Sequence, residues 1–131
     1  MTKTDICRIS GGVLVVLVGV AVGFGGYLLS GGVPSSWPDV IADDATARNV
    51  ARAMLAVAAI LLVGGGAATA NAAWGYWVAV SATLLFVIGA FWANYLLFGS
   101  MRPMHTGTNV IVAAVICWLL WVGYSASRTH A

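Results

Sequence analysis

The side chains able to grip a ligand or move a proton are few and fall in three places. Arg48 and Arg52 stand four residues apart at the start of one apolar stretch, Asn94 lies near the end of another, and Arg102, His105 and Asn109 lead into a third. Arginine holds an anionic headgroup or the carbonyl of a quinone-like molecule through charge-assisted hydrogen bonds, and histidine exchanges a proton near neutral pH. On a helix, His105 and Asn109 share a face, as do Arg48 and Arg52. A plainer chemistry is equally open to the same residues. Asn94 bonds Asn109 across two helices and sets their register, Arg48 and Arg52 meet lipid phosphates or the nearby Asp43 and Asp44, and His105 rests at the interface.

The elements that must position these groups follow from composition. Of 131 residues, 61% are hydrophobic and ten are charged, six basic and four acidic, so there is too little polar surface to clothe a soluble domain. No Asp, Glu, Lys or Arg occurs between Arg8 and Asp39, between Arg52 and Arg102, or between Arg102 and Arg128. These gaps hold four stretches, about residues 9–29, 51–70, 74–97 and 106–125, each near the roughly 20 residues that cross a hydrocarbon core as a helix. Backbone groups in lipid must bond within their own segment, and the runs lack the alternation of barrel strands. The expected fold is therefore an all-α membrane protein, a single domain over residues 1–131 built as a bundle of four transmembrane helices.

Between the first and second spans the sequence predicts a short interfacial helix, over about residues 37–50. Gly31, Gly32 and Pro34 end the first span. Ser36 then offers an N-cap, with Pro38 and Asp39 in the first turn. Trp37 suits headgroup level, as do Trp74 and Trp77 at the start of the third span and Trp118 and Trp121 towards the end of the fourth. Both termini then share one side, and nearly all other polar residues, including Arg48, Arg52, Asn94, Arg102, His105 and Asn109, gather on the opposite side. Gly12, Gly19, Gly23 and Gly26 bare one face of the first span for close helix packing, either within the chain or against a partner.

Several chemistries fall away. His105 and His130 sit on opposite sides of such a bundle, which excludes a bis-histidine haem within one chain, and Cys7 and Cys117 are read as free thiols that make no metal site. There is no serine elbow and no phosphate-cradling Gly-Lys-Ser/Thr sequence, so neither a catalytic motif nor a cofactor is expected. The net charge of +2 is too scattered for nucleic acid. A signal peptide is the competing reading of Lys3, Arg8 and the first apolar run, but that run is longer than the usual signal core.

Orientation is nearly balanced, with Lys3, Arg8 and Arg128 on the terminal side and Arg48, Arg52 and Arg102 on the other. Because Lys3 and Arg8 precede the first span, both termini are placed in the cytoplasm. Five arginines to one lysine point to a GC-rich bacterial genome and so to a multi-pass protein of the inner membrane. In size and charge balance the chain is similar to small multidrug exporters and small fluoride channels. It lacks the intramembrane carboxylate the former need and the glycine-arginine or threonine-rich pore sequence of the latter, and is assigned to neither. The leading expectation is an accessory, scaffolding or lipid-contacting membrane protein, in contact with lipid and with other subunits or a second copy of itself. A dimeric, dual-topology transporter and a small lipid- or quinone-handling enzyme are the alternatives.

Overall fold

A computed structural model describes residues 1–129; His130, and with it the expected separation of the two histidines, lies outside the described residues. The described chain forms four α-helices: α1 (Lys3–Leu29), α2 (Asp44–Thr69), α3 (Ala73–Phe98) and α4 (Pro103–Thr129). All four are long and apolar enough to cross a membrane, so this is a multi-pass membrane protein. At 1.5 Å per residue they run to about 40 Å; α1, α2 and α4 extend past the expected apolar span into the polar margin, and α3 exceeds it by one residue at each end. The chain goes up and down in sequence order. The start of α1 meets the end of α4, where Arg8 backs onto Gly123.

Packing is organised around α2, which lies between α1 and α3. The glycine face of α1 is turned inward onto this helix. A β-carbon on Gly12 would collide with the Thr69 hydroxyl and stand 2.8 Å from the Gly65 carbonyl oxygen, while one on Gly65 would stand 2.8 Å from the Gly12 carbonyl oxygen. Further along the same seam Gly19 meets Leu61, Gly23 meets Ala58, and Gly26 meets Leu55 and Ala51. Close backbone approach gives helices in lipid their van der Waals contact. The α2–α3 crossing uses the same device at Gly64 and Gly75. Arg8 adds a polar tie by donating from Nη1 to the Thr69 carbonyl oxygen at 3.1 Å, satisfying a carbonyl in the last turn of α2 and opposing the negative end of its dipole.

The expected interfacial helix does not form. Residues 30–43 run as turns and bends, with Trp37 N–H bonding the Pro34 carbonyl at 3.0 Å and Val40 N–H bonding the Trp37 carbonyl at 3.3 Å. Three causes act together. Pro38 disfavours helical backbone at Trp37. Ile41 N–H, which a helix would direct to Trp37, donates instead to the Leu97 carbonyl oxygen at 2.8 Å. The helix start is then taken by Asp43, extended at ψ 168°, whose carboxylate accepts from Thr46 N–H at 2.7 Å. The later half of the expected segment is the opening of α2 itself.

The buried side chains fall into two groups. One, towards the terminal end, joins Val15, Leu61, Tyr76, Ala79, Ile116 and Leu120; the other, at the loop end, joins Leu29, Ala47, Val50, Ala51 and Leu97, with Trp37 and Val40 of the long loop packed over it. Between them α3 has no buried residue from Leu84 to Leu96, and α4 has none before Ala113. The bundle is therefore tight where the termini meet and loose where α3 and α4 approach the long loop.

Candidate functional site

The loose end holds an open-sided cavity of about 640 Å³, within the roughly 300–1,000 Å³ of ligand pockets. Its walls are apolar and come from all four helices: Val18 and Val22 of α1, Met54 of α2, Phe86 and Ala90 of α3, and Val112 of α4. From Phe86 to Phe98 the lining follows α3 for about 18 Å, more than half of a hydrocarbon core. Polar groups are confined to the mouth, where Trp37, Asp39, Asn94, Arg102, His105 and Asn109 line the opening.

The mouth is built by three elements. The α3–α4 turn depends on Gly99 at φ 68°, a left-handed conformation suited to glycine, over which Ile41 packs so closely that a β-carbon would lie 2.7 Å from its Cδ1. This turn delivers Arg102 beside the long loop. Arg102 Nη2 donates to Asp39 Oδ2 at 3.1 Å, and its guanidinium stacks over the Phe98 ring at 4.1 Å from the centroid. The pair stays open to ligand: Asp39 is 73% exposed and Arg102 37%. Helix α4 then begins with Pro103, and the amides of Met104 and His105 have no carbonyl one turn earlier in the helix to bond. A second hollow surrounds this first turn and shares Arg102, His105 and Asn109 with the cavity.

Of the six residues expected to form a polar cluster, Asn94, Arg102, His105 and Asn109 are brought together at this opening. Arg48 and Arg52 are not among its lining residues; they stand exposed on the outer surface of α2. No hydrogen bond joins Asn94 to Asn109 among the described residues, since α3 and α4 stand apart at that level. The acidic pair is occupied locally. Asp43 caps α2, with Thr46 holding its carboxyl below the usual carboxylate range through side-chain and then backbone hydrogen bonding, and Asp44 accepts from Val33 N–H at 2.9 Å. Sequence reasoning missed Asp39 as the partner of Arg102. The available signal was that an Asp43-x-x-Thr46 cap removes Asp43 from consideration.

No group of three or more His, Cys, Asp or Glu residues comes together among the described residues, and Cys7 and Cys117 are free thiols. The geometry instead offers an elongated apolar slot whose mouth is ringed by charged and amide groups, suited to a molecule with a greasy tail and a polar head. Comparison with family models, curated proteins and solved structures finds no match to this chain.

Proposed function

We propose that this chain is a lipid-binding integral membrane protein that seats one membrane amphiphile, its acyl chain between α1, α3 and α4 and its polar head at Arg102, His105 and Asn109. One observation carries the reading: a cavity of about 640 Å³ that is apolar along its depth and polar only at its mouth. Its mouth lies at the ends of the helices, where lipid headgroups sit, and its lower part lies at acyl-chain depth. Scaffolding of other subunits draws less support, because the glycine face that suited a partner is occupied by α2. We further place the protein in the inner membrane of a bacterium with its termini in the cytoplasm, on the arginine-rich usage and the basic residues ahead of α1. The cavity mouth then opens to the outer leaflet of that membrane.

A phospholipid carrying a photoreactive acyl chain tests this reading. After irradiation in bilayers and a detergent wash, adducts are expected on the cavity residues Phe86, Ala90 and Val112. Adducts confined to the outward-facing Val115 and Trp118 would show only bulk lipid contact and would contradict the reading.

A further inference from the structure

The charges at the mouth specify more than a polar head. Resting on the lipid-binding reading above, we infer that the site selects a zwitterionic phospholipid, one whose phosphate and cationic amine lie side by side, over an anionic one. The charged side chains lining the cavity are Arg102 and Asp39, and they pair with each other through Nη2 and Oδ2 at 3.1 Å. Their formal charges cancel, so the pair carries no net formal charge with which to favour an anionic headgroup over a zwitterionic one. Arg48 and Arg52, the cations that would have made it basic, are absent from its lining. Each partner nevertheless keeps free valences. Arg102 bonds Asp39 through one terminal nitrogen and retains further N–H donors, and Asp39 has its other oxygen uncommitted, with most of the side chain exposed.

A phosphate fits the Arg102 side of the pair. The first turn of α4, with the Met104 and His105 amides unbonded within the helix, adds donors and the positive end of a helix dipole to that guanidinium. The amine of the same headgroup then falls on the Asp39 side, completing a square of alternating charges. An anionic glycerol headgroup satisfies Arg102 equally well but leaves Asp39 facing a like charge nearby. Choline and ethanolamine lipids share the required pair of charges; only ethanolamine donates N–H bonds to Asp39, whereas choline offers charge alone.

Native mass spectrometry of the full chain released from nanodiscs containing equal parts phosphatidylethanolamine, phosphatidylcholine and phosphatidylglycerol tests the inference. The wild type is expected to retain a zwitterionic lipid over phosphatidylglycerol by about tenfold, the worth of one charge-assisted hydrogen bond. Ethanolamine exceeding choline would assign the contact to N–H donation, and equal retention of the two would assign it to charge alone; both fit a zwitterionic site. Asp39→Asn leaves Arg102 unopposed and is expected to reverse the preference towards phosphatidylglycerol, while Arg102→Gln, with helicity checked by circular dichroism, loses retained lipid of every class. Equal retention of anionic and zwitterionic lipid by the wild type, or an unchanged preference in Asp39→Asn, overturns the selectivity and leaves lipid binding standing. A wild type that retains no lipid overturns both.

Discussion

Arg8 shows how one side chain joins elements distant in sequence. It is 17% exposed and donates to Thr69 while pairing with Asp5 at 3.4 Å, so its removal leaves a carbonyl at the end of α2 without its partner. Arg8→Met should cost about 1–3 kcal/mol, read from unfolding in mixed micelles. Asp43 supplies a pH dependence of determined sign. Its folded pKa is depressed by Thr46, so the stability it contributes is fully present above the unfolded value near 4 and is lost as pH falls through the lower folded value. The Thr46 amide should keep its protection from hydrogen exchange down to about pH 4 and lose it below, whereas Asp43→Asn should remove that pH dependence. Asp43 was legible as a polar residue of the loop, and its role was decided by the chain entering α2 in extended form.

At the level of elements, the four spans could be read from the gaps between charges, because nothing except a helix satisfies a backbone in lipid. The seven-residue spacing of Gly12, Gly19 and Gly26 likewise marked a packing face, although the identity of the facing helix needed the fold. That helix is α2, and the tightest approach is at Gly12. Gly12→Val should destabilise the bundle by about 3 kcal/mol, the upper end of overpacking, because Gly65 backbone cannot yield as a side chain would. Gly66 has nothing within 4 Å of its would-be β-carbon, so Gly66→Ala should stabilise α2 by about 0.5–1 kcal/mol in the same unfolding measurement. The interfacial helix was misread because local signals, Ser36 and Pro38 among them, carry no information about the Leu97 carbonyl that draws Ile41 out of helical bonding.

For the whole molecule, the informative feature is uneven packing. Gly64, Gly65 and Gly75 let α2 and its neighbours close tightly near the termini, whereas α3 from Leu84 to Leu96 buries nothing fully and leaves the cavity beside it. Asn94 and Asn109 could be recognised as polar residues near one membrane face. That they flank an opening and do not bond each other depends on how far α3 and α4 diverge, a property of three-dimensional packing that their spacing does not encode. Arg48 and Arg52 were drawn into the expected cluster by depth alone, and the rotation of α2 turns both outward. An occupied cavity should also raise stability, since a ligand bound only by the folded state stabilises it by mass action, about 2.7 kcal/mol at a hundredfold excess over Kd.

The most direct measurement is the number of phospholipids retained per chain, by native mass spectrometry, as detergent strips the annular lipid. Wild type is expected to plateau at one retained lipid, and Ala90→Trp, which places an indole in the slot between Val18, Phe86 and Val112, to fall to none while keeping its helicity. A wild type stripped to zero without a plateau, or an Ala90→Trp variant that still holds one lipid, would contradict the assignment of this cavity as a lipid site.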